Sequence, residues 1–160
     1  MVITVVDERI EKGPWWRVPR YAGPVGYLMS TNPVTMRDVG TMVHSVIVRL
    51  AGVKMTRLNI VDHGNEKGFE VGDDVVTAEN IGRYSAKLAQ LRGRFAPHGF
   101  VHLQHCKVGN NDLLLTMLAT LFGVRVYGGT GYDNALWNIN SGDYVVCDRT
   151  GDCQRSFFRP

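Results

Sequence analysis

The chain has no long apolar run, no block of basic residues and few cysteines. None of the hydrophobic stretches in its 160 residues approaches the length of a membrane-spanning helix. Lysine and arginine are mixed with acidic residues, and the net charge is only +3, so the chain has no arm of the kind that binds nucleic acid. We therefore expect neither a membrane nor a nucleic acid as a partner.

The cysteine count bears on the compartment. Cys106, Cys147 and Cys153 are the three cysteines, and the N-terminal MVITVVDERIEKG has no signal-peptide pattern. This combination fits a reducing, cytoplasmic location, but a protein exported without a classical signal peptide would look the same. Cys147 and Cys153 flank a turn-like RTGD, so they would form a hairpin disulfide in an exported protein and would be spare thiols otherwise.

Composition and periodicity predict the fold class. With 44% hydrophobic and 21% charged residues, the chain can bury a full core as a single domain over 1–160. Apolar runs alternate with helical repeats along it. Strands are predicted at 1–6, 25–30, 55–62, 100–105 and 124–129, and helices at 35–50, at roughly 78–95 and from residue 111 or 112 to 122. This alternation predicts an α/β fold with a mainly parallel sheet sandwiched by helices.

Local signals refine that prediction. Thr35 is the expected N-cap of the first helix, Thr77 caps the second, and Pro97-His98-Gly99 is expected to turn the chain. NEKGFEVGDDVVT predicts a small hairpin within a loop. ALWNIN and DYVVCD predict a C-terminal β-hairpin that turns at Asn140-Ser141-Gly142.

Two predicted strands end at residues suited to nucleophilic chemistry. NIVDHG closes at His63-Gly64, and VHLQHC closes at Cys106. Parallel strands bring their C-terminal ends to the same edge of the sheet, so neighbouring strands would bring a base beside a thiol. The backbone N–H groups of Gly64 and Cys106 are candidates for an oxyanion hole, and Lys107 adds a local positive charge.

Other motifs have alternative interpretations. His98, His102, His105 and Cys106 are close in sequence, but strand alternation puts His105 opposite His102 and Cys106, and no zinc-binding spacing accompanies them. GGTGYDN lacks the Gly-Lys-Ser/Thr ending of a phosphate loop. Trp15, Trp16 and Trp137 fit core packing better than a binding cleft. We therefore expect no metal and no cofactor.

The order of these motifs resembles a known class of enzymes. A hydrophobic strand ending in His-Gly, then a helix, then a hydrophobic strand ending in Cys is similar to the caspase-like cysteine peptidases. The resemblance covers roughly 25–130. The same region resembles a bacterial domain family of unknown function from large surface proteins, through DHG, QHCKVG, LLLTMLATLFGVRVYGGTG and ALWNI in that order.

The resemblance implies roles for particular residues. His63 matches the base, Cys106 the nucleophile and Gly64 the oxyanion glycine, while Gln104 matches a glutamine of the first specificity pocket. Residues that follow the next strand would border the substrate, namely Tyr132, Asp133 and Asn134. Caspases have Arg-Gly after the cysteine where this chain has Lys107-Val108, so their preference for aspartate is not carried over.

The leading hypothesis is a bacterial cysteine endopeptidase with a His63–Cys106 dyad, acting on a protein or peptide as an effector, toxin or self-processing domain. One alternative is a catalytically inactive binding or structural domain of the same fold. Another is a different thiol-based hydrolase or transferase. The oligomeric state and the preferred substrate do not follow from the residues.

Overall fold

The computed structural model describes residues 1–7, 32–134, 139–157 and 160. The main strands are β1 (Val2–Asp7), β2 (Pro33–Met36), β3 (Met55–Val61), β6 (Phe95–Gln104), β7 (Arg125–Gly129), β10 (Tyr144–Cys147) and β11 (Cys153–Ser156). Two small ribbons are formed by β4 (Gly68–Val71) with β5 (Asp74–Thr77), and by β8 (Asp133–Asn134) with β9 (Ile139–Asn140).

The seven main strands form one mixed sheet in the order β11-β10-β7-β6-β3-β1-β2. β7, β6, β3, β1 and β2 run parallel to one another. β10 runs antiparallel to β7, and β11 runs antiparallel to β10. The fold is therefore α/β with a mostly parallel sheet, as predicted. This order also makes β3 and β6 direct neighbours at the centre of the sheet.

Three helices, α1 (Val39–Leu50), α2 (Ser85–Leu88) and α3 (Asp112–Phe122), form one layer in which α2 touches both of the others. Their apolar residues pack with alternate residues of the strands, because successive side chains of a strand point to opposite faces. The strand members of this core include Ile3, Leu58, Ile60, Val101 and Val126. Helices were predicted on both faces of the sheet, and within the described residues they form this one layer. The strand predicted at 25–30 and Trp15, Trp16 and Trp137 fall outside the described residues.

The other face of the central strands is polar and yet buried. Thr4, Asn59 and His102 lie side by side across β1, β3 and β6, and each is at most 1% exposed. Asn59 donates to the Thr4 hydroxyl at 3.0 Å, and the His102 ring packs edge-on against Tyr144 with centroids 5.6 Å apart. The sheet therefore has one hydrophobic face and one hydrogen-bonding face.

The first helix was predicted at 35–50 and is found at Val39–Leu50, so its predicted N-cap was wrong. Asp38, not Thr35, is the N-cap, since its carboxylate accepts from Thr41 N at 2.7 Å and the Thr41 hydroxyl accepts from Asp38 N at 2.9 Å. Thr35 lies in β2 instead. The helix ends at Ala51, whose backbone is in the left-handed conformation common at helix C-termini.

The predicted long helix at 78–95 is broken into α2 and two 3₁₀ turns, Ile81–Arg83 and Ala89–Leu91. The Asn80 side chain accepts from Thr77 N at 2.8 Å, and this local bond competes with helix formation. Thr77 is thus no helix cap. Pro97-His98-Gly99 lies within β6, where the pairing with β3 shifts register, so the predicted turn is a strand irregularity.

The C-terminal hairpin consists of β10 and β11, not of ALWNIN and DYVVCD. Residues Ile139–Asn140 pair with β8, while β10 pairs with β7 and β11. Cys147 lies directly opposite Cys153 in this hairpin, and their sulfurs form a disulfide. In the described ranges, no helix combines the length and apolarity needed to cross a bilayer.

Candidate active site

The two predicted strand ends lie side by side. Val61 and Gln104 are paired across β3 and β6, and His63 and Cys106 each follow two residues later. Both segments therefore leave the sheet at the same edge with the same offset. This confirms the neighbouring strands on which the prediction of a paired base and thiol depended.

The backbone of His63 is held on both sides. Its N–H donates to the Asp62 carboxylate at 2.8 Å, and its carbonyl accepts from Glu70 N at 2.8 Å. Asp62 also accepts from Gly72 N at 2.9 Å, so it joins the end of β3 to the β4–β5 ribbon. The His63 side chain is exposed at the edge of the sheet, where a substrate can reach it.

Gly64 allows the two strand ends to approach closely. A Cβ atom at this position would lie 2.7 Å from His105 Cβ and 3.4 Å from the Cys106 carbonyl oxygen. The first distance is shorter than such atoms tolerate. The absence of a side chain is therefore a steric requirement, and it brings the His63-Gly64 segment against the residues that carry the thiol.

Cys106 is the free thiol of the chain, since the other two cysteines are bonded to each other. It is partly buried, and its sulfur accepts a hydrogen bond from Asp133 N at 3.4 Å. This contact fixes the position of the sulfur relative to the Asp133 backbone. Asp133 was predicted as a substrate contact, and its backbone contact with the Cys106 sulfur was missed because sequence spacing does not reveal it.

The two amides predicted for the oxyanion hole are available. Within the described part of the chain, neither Gly64 N nor Cys106 N donates to an acceptor. The next amide in each segment is occupied, since Asn65 N donates to the Gly68 carbonyl at 2.9 Å and Lys107 N donates to the Gly131 carbonyl at 2.7 Å. The two amides lie in segments that adjoin each other, as the predicted oxyanion hole requires.

The remaining predicted substrate contacts differ in position. Gln104 is only 5% exposed, and its amide lies 3.5 Å from His102 Nδ1, so its side chain belongs to the buried polar face. Tyr132 is 65% exposed beside the thiol. The backbone of Asn134 lies in β8 next to Asp133, and its side chain is outside the described residues.

Burial shifts the pKa values of several groups around the site. It raises the pKa of Asp133 to about 6, although a hydrogen bond with the Asn140 side chain acts in the opposite direction. Burial also raises the pKa of Asp62 to about 6 against its hydrogen bonds from Gly72 and His63. It lowers the pKa of both His102 and His105 to about 3. The two histidines are therefore neutral at pH 7.

These histidines do not converge. The His105 ring lies 5.0 Å from that of Phe69 and its Nε2 lies 3.2 Å from the Glu70 carbonyl, on the face opposite His102. Strand alternation thus separates them as predicted. In the described ranges, the one group of three potential metal ligands is Asp112, Cys147 and Cys153, whose sulfurs are joined in the disulfide.

The chain was compared with known proteins. The model of a family described as a domain of unknown function (DUF4347) matches residues 27–139. No curated protein and no solved structure matches the chain. The matched range contains both strand ends and the loops around Cys106.

Proposed function

The chain belongs to the DUF4347 family, for which no function is established, and we propose that it is a caspase-like cysteine endopeptidase with Cys106 as nucleophile and His63 as base. The observation that carries the proposal is a single free thiol at a strand end, adjoining the His63-Gly64 segment and accepting an N–H from Asp133. The substrate is a protein or peptide, and the reaction needs no cofactor.

The reaction follows from these groups. His63 takes the thiol proton, and the sulfur forms a bond to the carbonyl carbon of the substrate. The N–H groups of Gly64 and Cys106 donate to the resulting oxyanion. His63 then gives its proton to the leaving amine as the C–N bond breaks, which leaves an acyl-enzyme. Water, deprotonated by His63, releases the acid and restores the thiol.

The hydrogen bond from Asp133 supports the first step. Because it is a backbone donor in a partly buried place, it stays directed at the sulfur without the entropy cost of ordering a side chain. This contact supports a reactive Cys106, whereas a purely structural cysteine would be sealed in the apolar core.

The disulfide supports the exported alternative for the location. Disulfides persist in oxidising compartments and are rare in the cytosol. The Cys147–Cys153 disulfide therefore favours export over a cytoplasmic location. An effector, toxin or self-processing domain of a bacterial surface protein fits this setting.

Labelling of Cys106 tests the proposed function. Without reductant, a peptidyl electrophile should add once per chain, at Cys106, and His63→Ala should slow this reaction at least about a hundredfold. His44→Ala is the matched control, because His44 is exposed on α1 away from the sheet edge. Equal reactivity of His63→Ala and the native chain would overturn the peptidase and favour the non-catalytic binding domain.

A further inference from the structure

Lys107 contacts both segments that flank the thiol. Its ammonium group lies 3.3 Å from the Glu66 carboxylate, in the segment 62–67 that we call the His63 loop. The same group lies 5.0 Å from the centre of the Tyr132 ring, in the segment 130–132 that we call the Tyr132 loop. Lys107 N donates to Gly131 O at 2.7 Å in the Tyr132 loop. One residue thus joins three chain segments at the sheet edge.

The backbone of Lys107 is unusual for its residue type. Its φ of 57° lies in the left-handed region, which favours glycine or asparagine. The Cβ atom of a lysine is sterically unfavourable in this conformation, whereas glycine has no Cβ atom. The side chain at position 107 contacts Glu66 and Tyr132, in the loops on either side of Cys106.

Two asparagines of the same turn reinforce this arrangement. Asn111 Nδ2 donates to the carbonyls of Glu66 and Lys67 at 3.2 and 3.3 Å, and Asn110 Nδ2 donates to the Thr130 carbonyl at 2.9 Å. Both loops are thus tied to the turn that follows the nucleophile. Of these ties, only Lys107 joins both loops through a single side chain, because its ammonium meets Glu66 and Tyr132 together.

We infer that Lys107 is a positioning residue that fixes the His63 loop and the Tyr132 loop relative to Cys106. The inference rests on the proposed function, because it is the spacing of His63, Gly64 and Asp133 around the sulfur that Lys107 sets. The His63 loop carries the base and one oxyanion donor. The Tyr132 loop leads directly to the N–H that contacts the sulfur.

Hydrogen exchange tests the positioning separately from the activity. Lys107→Met removes the charge but keeps much of the side-chain volume, and Glu66→Gln removes the partner. We expect Lys107→Met to raise amide exchange at least about threefold in both loops, and Glu66→Gln to do so in the His63 loop, because only Lys107→Met also removes the contact with the Tyr132 ring. In the His63 loop the double variant should do no more than Lys107→Met alone, since both substitutions remove the Lys107–Glu66 contact there. Lys67→Met is the matched control, because Lys67 is exposed in the same loop and its ammonium is not part of this contact.

The labelling reaction gives a second readout. Lys107→Met should lower the rate with a peptidyl electrophile about tenfold and the rate with iodoacetamide much less, because the small reagent does not use the oxyanion donors. Unchanged exchange in both loops would overturn the positioning role, whatever the activity. If Lys107→Met exchanges faster but His63→Ala labels as fast as the native chain, the positioning role of Lys107 is supported and the peptidase proposal is overturned.

Discussion

At the scale of single residues, Gly64 determines how closely the His63 segment after β3 approaches the Cys106 segment after β6. The atom that a side chain would meet is His105 Cβ, which is attached directly to the backbone. It cannot rotate away as the end of a long side chain could. The cost of a larger residue here falls on the spacing of the site as well as on the core.

We expect Gly64→Ala to lower the free energy of unfolding by about 1–3 kcal/mol, because the added methyl group forces the two strand ends apart. It should also slow the labelling of Cys106. Gly82→Ala is the control, since a Cβ atom there meets nothing within 4 Å, and it should leave stability equal or raise it by up to about 1 kcal/mol. Chemical denaturation of both variants makes the comparison, and equal midpoints would contradict the steric role of Gly64.

At the scale of secondary-structure elements, the Asn111 side chain makes hydrogen bonds with two different parts of the chain. Its side-chain oxygen caps α3 by accepting from Leu114 N at 3.0 Å, and its amide nitrogen holds the His63 loop. A helix cap contributes to stability, whereas the tie to the loop contributes to the geometry of the site. Substitutions can separate the two.

Asn111→Ala should cost about 1 kcal/mol of stability through the lost cap and should also loosen the His63 loop. Asn111→Asp keeps a cap acceptor but loses the donor, so we expect near-native stability with faster amide exchange in residues 64–67. Denaturation measures the first effect and hydrogen exchange the second. Native exchange in Asn111→Asp would show that the tie has no influence on the loop.

The elements that the sequence predicted well are those with strong local signals. α3 has an apolar repeat, an Asn111 cap and Gly123 in a left-handed conformation at its end, and all three agree. The residues around 78–95 have a helical repeat too, but Asn80 bonds locally and Gly82 weakens the first turn. Periodicity alone could not reveal this competition.

Strand partners were harder to predict than strands. The pairing of β3 with β6 was the condition for bringing the two parts of the site together, and the sheet order satisfies it. The predicted partner of DYVVCD was wrong. β-Pairing across a sheet depends on contacts that are distant in sequence, so the local pattern did not reveal it. For the same reason the contact of Asp133 N with Cys106 could not be predicted, since 27 residues separate them.

At the scale of the whole molecule, four buried titratable groups act on stability in opposite directions. His102 and His105 have folded pKa values of about 3 because they are buried. Below about pH 6.5 these histidines are protonated in the unfolded chain but stay neutral in the folded chain. The free energy of unfolding therefore decreases as the pH falls. Burial raises the pKa of Asp62 and Asp133 to about 6. As the pH falls below 6, the folded chain binds these protons first and gains stability until about pH 3.8.

We therefore expect the unfolding free energy to change little between about pH 6 and pH 4, since two histidines and two aspartates oppose each other. Asp62→Asn removes one compensating group and should make stability fall by about 1.4 kcal/mol for each unit of acidification in that range. Urea denaturation at a series of pH values measures both slopes. A variant slope equal to the native one would contradict this account.

The position of the disulfide also decides which thiol remains single when the chain oxidises. Cys147 and Cys153 are separated by six residues, whereas Cys106 would have to close a much longer ring with either of them. Ring closure favours the short partner by roughly 2 kcal/mol, before any folded structure contributes. Oxidation of the nascent chain thus uses up the two hairpin sulfurs first and spares Cys106 from scrambling. A chain with an odd number of cysteines can in this way pair two of them and leave the third, at the edge of the sheet, unmodified.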